Sequence, residues 1–125
     1  MAQYQHLPIY KSTYDLLIQA MQVTKNFPRD YKFSLGEKIQ NCAIELLTCI
    51  YKANNSKDKK CYIKEILEKV QLINIYFRIS TDIKIMSPSM YCSLIEKSCS
   101  ISKQAQGWLK SALNNNEPEP VYAKA

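Results

Sequence analysis

The sequence holds two glycines, one histidine and one tryptophan in 125 residues. So little glycine leaves few tight turns for a sandwich or barrel and points to helices joined by short loops. The single histidine, His6, excludes Ser-His-Asp, Cys-His and multi-histidine metal constellations within one chain. Gly36 and Gly107 lie far apart, so no glycine loop cradles a phosphate. No CxxC pair, zinc-ligand spacing or secretory signal is present, and polar residues interrupt every apolar run short of a bilayer span. The length suits one compact domain, read as residues 1–116, followed by a disordered tail at 117–125 rich in Glu and Pro.

What is abundant is lysine. Residues 1–116 carry sixteen basic against nine acidic groups, and all but two of the chain's seventeen basic residues are lysine. Such a surplus attracts polyanions through counterion release, although lysines also serve solubility. Of the five cysteines, Cys42/Cys49 and Cys92/Cys99 are each seven apart. On a helix that is two turns, about 10 Å, too far for a disulfide. Buried, reduced thiols in a cytoplasmic protein are the expectation, with no membrane partner.

Apolar residues recur at helical spacing in four stretches, about 9–27, 29–54, 59–85 and 88–113. The first helix is read with Tyr10, Tyr14, Leu17, Ile18 and Met21 on its core stripe. The second has Leu35, Ile39, Cys42, Ala43, Leu46, Cys49, Ile50 and Ala53, and its start is open. Pro28 suits a first helical position, whereas Ser34 and Glu37 have capping-box spacing. Ile63, Ile66, Leu67, Val70, Ile73, Asn74 and Phe77 mark the third, and Ser87-Pro88 opens the fourth. These rods predict an all-α, antiparallel four-helix bundle. A bundle needs one apolar face per helix, yet Ile44, Leu47 and Tyr51 on the second and Leu72, Ile75, Tyr76, Ile79 and Ile83 on the third are left over. Unless a fat core absorbs them, they imply self-association.

Chemistry has few candidates. Glu65 and Glu68 are three apart on the third helix, but Lys64 and Lys69 flank them as on an ordinary solvated face. A small hydrolase or nuclease using these carboxylates is the reading from another functional class. Arg78 has Asp82 four residues on, either a helical ion pair or one member of a positive ring about an oligomer axis. Arg29, Lys32 and Lys38 interleave with Phe27, Tyr31 and Phe33, a basic-aromatic mixture that suits either a nucleic-acid contact or a snorkelling helix start. Lys84, Lys103 and Lys110 enter on charge alone. Gly107 inside a helix costs about 1 kcal/mol relative to alanine, which close approach by a neighbouring subunit would offset. Its neighbour Trp108 joins it as an interface candidate, against a role in the core or as a stacking platform.

The segment from Phe27 to Gln40, the Arg78 site before a short loop and Ser-Pro, and Gly107-Trp108-Leu109 resemble the accessory variability determinant (Avd) family of diversity-generating retroelements. That family is related to four-helix proteins of ribosomal-RNA intervening sequences, and the resemblance spans about residues 10–113. It implies a barrel-shaped homopentamer without enzymatic activity or cofactor. Such a protein binds a reverse transcriptase, its template RNA and the cDNA, and supports synthesis mutated at template adenines. The resemblance places the basic surface on Arg78, with Arg29, Lys32 and Lys38 beside it. More arginine-rich members differ, since lysine lacks the bidentate fork. An oligomeric bundle of the ribosomal-RNA intervening-sequence type, without a polymerase partner, is the alternative.

Overall fold

Proline and serine set where helices begin. The computed structural model describes residues 4–114. After a 3-10 turn at Tyr4–His6 come α1 (Pro8–Lys25), the single turn α2 (Arg29–Lys32), α3 (Leu35–Asn55), α4 (Lys60–Asp82) and α5 (Pro88–Asn114). Pro8 and Pro88 stand at first helical positions, where a missing N–H costs nothing. Ser87 caps α5, its Oγ accepting from the Met90 N–H at 3.1 Å. No strand occurs among the described residues. The disordered tail expected at 117–125 lies outside them.

The four long helices pack in chain order around a square, α1 on α3, α3 on α4, α4 on α5, and α5 back on α1. Short connections make neighbours antiparallel. A polar rung fixes the register of each seam. Gln40 Nε2 donates to Thr24 Oγ1 at 2.8 Å, and Lys69 Nζ to Glu45 Oε1 at 2.6 Å. Ser98 Oγ donates to Asn74 Oδ1 at 2.7 Å, while Gln19 and Gln104 reach Ser93 and Ser12, each at 3.0 Å. Inside lie Leu16, Ile39, Leu46, Ile50, Ile63, Ile66, Ile73, Phe77, Leu94 and Ile101, all fully buried. Each such side chain contributes roughly 1.5–3 kcal/mol of transfer free energy. The stripes read for the second and third helices are these core lines, with Leu35, Leu67 and Asn74 at half-buried margins.

The first helix is turned relative to its reading. Its buried line is Ile9, Thr13, Leu16, Ala20 and Thr24, whereas Tyr14 and Ile18 are exposed and Tyr10, Leu17 and Met21 are half-buried. Small and hydroxylated residues face the core here, so the stronger apolar signal lies on the outer side. The helix expected over 29–54 also breaks, at Phe33-Ser34. Ser34 sits at the N-cap position of α3, but its Oγ donates to Asp30 O at 3.2 Å, so the capping box with Glu37 does not form. At Gly36, α2 and the end of α1 lie over the first turn of α3 with room for ordinary contact. A Cβ there would meet Tyr31 O at 3.4 Å, Phe27 Cδ2 at 3.5 Å and Thr24 Cβ at 3.6 Å. The thiols divide as well, for Cys42 and Cys49 are buried but Cys61, Cys92 and Cys99 are exposed. Helical spacing carries the last three onto solvent-facing lines.

Candidate nucleic-acid and subunit surfaces

Antiparallel packing brings the ends of α1 and α4 together with the starts of α3 and α5. That end gathers Arg29, Lys32, Lys38, Arg78 and Lys84, residues spread over 56 positions of sequence. Lys103 and Lys110 are exposed on the last turns of α5, at the other end, and do not join them. At the gathered end α2 is a lone turn held by Pro28 O, which accepts from the Tyr31 and Lys32 N–H groups at 2.9 Å. It projects Phe33, 65% exposed, with Lys32 Nζ 5.9 Å from the ring centre. A base can stack on such a ring while lysines and Arg29 meet phosphates.

Arg78 pairs with Asp82 at 3.2 Å, and both side chains are mostly in water. An exposed pair of this kind is worth at most about 1 kcal/mol, so the guanidinium can exchange partners at little cost. Lys84 has a left-handed backbone, φ 68°. Its N–H donates to Thr81 O, and the Ile85 N–H to Ser80 O, each at 3.0 Å, closing α4 with a Schellman motif. Glycine usually holds that position; a lysine there accepts roughly 1–2 kcal/mol of steric cost.

The opposite end has a second basic cluster. Lys57 and Lys60, with Lys52 and Lys64 beside them, surround one acid, Asp58. Lys59 turns inward, its Nζ donating to the carbonyls of Ala53, Asn54 and Ser56 at 3.0–3.1 Å, which satisfies the end of α3. Lys59 is thus structural, while Lys52, Lys57 and Lys64 are exposed and Lys60 is half-buried.

Two apolar faces stay outside the core, so a fat bundle does not absorb them. Leu72, Ile75, Ile79 and Ile83 form an exposed ridge on α4, with Tyr76 half-buried at its flank. Tyr14 and Ile18 of α1 are exposed, and Tyr10 of α1 with Ile44 and Tyr51 of α3 borders a furrow between those helices. Tyr4 closes one end of it, its ring centre 5.4 Å from that of Tyr10 and 5.0 Å from that of Tyr51. Beneath is a hollow of about 250 Å³ lined by Tyr4, Tyr10, Ile44, Leu47, Thr48 and Tyr51. Trp108 is half-buried against the core, bordering a hollow with Leu7, Pro8 and Ile9. Gly107 is exposed with open space around it, so nothing within the subunit requires glycine there.

Glu45 accepts from Lys69, whose ammonium is thereby held above its ordinary 10.5. Burial pushes the Cys42 and Cys49 thiols up to about 11, with Lys69 opposing the shift at both. At neutral pH they stay protonated and weakly nucleophilic. Among the described residues no group of three His, Cys, Asp or Glu side chains could hold a metal ion, and no helix is long and apolar enough to cross a membrane.

A family model described as bAvd-like matches residues 7–112, which takes in all four long helices but the last two residues of α5. No curated protein matches the chain.

Proposed function

The chain belongs to the bAvd-like family, a family of accessory proteins of diversity-generating retroelements, and from that premise we propose that it holds a reverse transcriptase and its template RNA together. The polymerase then makes cDNA mutated at template adenines, and this protein itself does no chemistry. The observation that carries this reading is the family match over nearly the whole bundle, on a surface that collects both arginines at one end.

In this proposal Arg78, Arg29, Lys32, Lys38 and Lys84 meet the phosphates or the polymerase, and Lys103 and Lys110 extend the field along α5. The assembly is a homopentameric barrel in the cytoplasm, with Leu72, Ile75, Tyr76, Ile79, Gly107 and Trp108 at subunit contacts. A ring multiplies a modest surplus of charge into a strong anion-attracting field. Lysine in place of arginine suits such a field, which acts on phosphates without reading bases.

A pull-down of polymerase and template RNA at moderate salt tests the reading. Arg78→Glu should reduce capture several-fold with helicity unchanged, because the side chain is exposed and its one ion pair is weak. RNA affinity should fall steeply with added salt in proportion to the phosphates neutralised. Capture equal to wild type would remove Arg78 from the surface, and salt-independent affinity would remove charge as the driver. A reverse transcriptase gene beside the coding sequence separates this reading from the ribosomal-RNA alternative.

A further inference from the structure

The gathered end also holds a hollow of about 290 Å³ that no charged residue lines. It lies between the last turns of α1, with Gln19, Gln22 and Asn26, and the chain that enters α5, with Ile85, Met86 and Met90. We infer that it receives one unstacked nucleobase of a bound single strand, the base edge on the amides and its face on the methionines. The inference goes beyond the phosphate contacts proposed above and rests on that reading for RNA as the source of the base.

Small-molecule pockets run upward from about 300 Å³, so this hollow suits a single ring system and not a folded segment of chain. Met86 is buried and Met90 half-buried, with Val23 and Ile85 beside them. Thioethers adapt to irregular shapes and make favourable contacts with aromatic rings. Gln22 and Asn26 are exposed at the mouth. The Gln19 amide is half-satisfied. Its Nε2 donates to Met90 Sδ and Ser93 Oγ, each at 3.0 Å, while its buried Oε1 finds no partner among the described residues. Turning the amide over lets Ser93 donate to Oε1 and leaves Nε2 without a partner instead. A buried polar atom in that state costs roughly 1–3 kcal/mol. A base edge sets donors beside acceptors and offers the missing partner in either orientation.

A wider hollow of about 540 Å³ shares Ile85, Met86 and Ser87 with the first and is lined further by Thr81, Lys84 and Pro88. A base in the first leaves room for its ribose and phosphate in the second, beside an ammonium. On the α1 side Lys25 is exposed next in chain to Asn26. No acid lines either hollow. The acids nearest in chain, Asp15, Asp30, Asp82 and Glu96, stand three or more positions from any residue of the first, and Asp82 is paired with Arg78. A neutral ring that carries a phosphate fits an uncharged hollow with cations at its border, whereas a charged side chain would enter unpaired. Phe33, by contrast, offers a base a face and no edge.

NMR of the full chain, with methionine methyls and glutamine side-chain amides labelled, tests the pairing. At least one of the ribonucleoside monophosphates should shift the Met86 and Met90 methyl signals by ring current and move the Gln19 amide. Ribose 5-phosphate, the same probe without a base, should move none of them. A single RNA strand of about ten nucleotides should give the same shifts at roughly ten-fold lower concentration, because phosphates at Lys25 and Lys84 add to the base. Gln19→Met keeps the length and removes the amide, and should weaken the nucleotide shifts several-fold. Should it lose helicity, Gln22→Ala, at an exposed site, takes its place. Silent methyls overturn the inference, as do equal shifts with ribose 5-phosphate or shifts of wild-type size in the variant. A mononucleotide that binds as tightly as the strand also overturns it, since that marks a site for free nucleotides. If the strand binds with steep salt dependence while the methyls stay silent, only this inference falls and the RNA reading stands. Nucleotide shifts without any binding of the strand overturn both.

Discussion

Helices α1 and α4 stand diagonally across the bundle, and each carries two apolar lines, yet they are built in opposite ways. On α4 the large side chains Ile63, Ile66, Ile73 and Phe77 go inside, and a second large set is left facing outward. On α1 the inner line is thinned to Thr13, Ala20 and Thr24 around Ile9 and Leu16, and the bulky Tyr14 and Ile18 go out. The difference teaches that the amount of apolar surface does not say which side is inside. Volume decides that, since a helix can dock closely on small residues, and of the two hydroxyls on this line only that of Thr24 finds partners.

The largest effects should come from the inner line of α4. Phe77→Ala should cost about 3–5 kcal/mol in urea unfolding, because a fully buried ring leaves a cavity. Ile79→Ala, two positions on but 41% exposed, should change the unfolding of the separated subunit by less than about 0.5 kcal/mol. Similar losses at both would mean that the two lines of α4 are not distinct.

On α1 the two threonines should respond with opposite signs. Thr24 Oγ1 donates to Ala20 O at 2.8 Å and accepts from Gln40, so Thr24→Val should destabilise by about 1–2 kcal/mol and strand that amide. Thr13 Oγ1 is buried with no hydrogen-bond partner, and Thr13→Val should stabilise by about 1 kcal/mol. Equal losses would show that α1 docks by shape alone.

The smallest effect lies at the α3–α4 seam. Hydrogen bonding to Glu45 raises the Lys69 pKa, so its contribution is fully present below 10.5 and is lost as pH rises past the folded value. The half-exposed setting limits it to about 0.5 kcal/mol. Cys42 and Cys49 act with the same sign in a window that opens at lower pH. Their unfolded forms ionise from about 9 while the folded ones resist to about 11, so stability falls as pH rises above 9. Alkaline unfolding of Lys69→Met beside wild type measures the first contribution. At pH 8 a thiol reagent should label Cys61, Cys92 and Cys99 rapidly, and the other two only on unfolding.

The core lines of α3 and α4 were legible because period and side-chain volume agree there. The phase of α1 was not, since threonine and alanine at Thr13, Ala20 and Thr24 give a weak hydropathy signal. Leftover residues on α3 and α4 showed that a second buried surface was needed, but Tyr14 and Ile18 stayed hidden inside the misread stripe. Arg29 and Arg78 could be named one at a time. Nothing in local spacing said that they share an end, or that Lys59 is used up as a cap.

The sequence by itself determined the helices, their approximate ends and their excess of lysine, because each depends on neighbours within a few positions: periodicity, proline and composition. Only the tertiary structure decided which side of α1 is inside, which charges stand together and where the furrow lies. Those depend on antiparallel packing, which joins residues tens of positions apart and makes burial a property of the whole bundle.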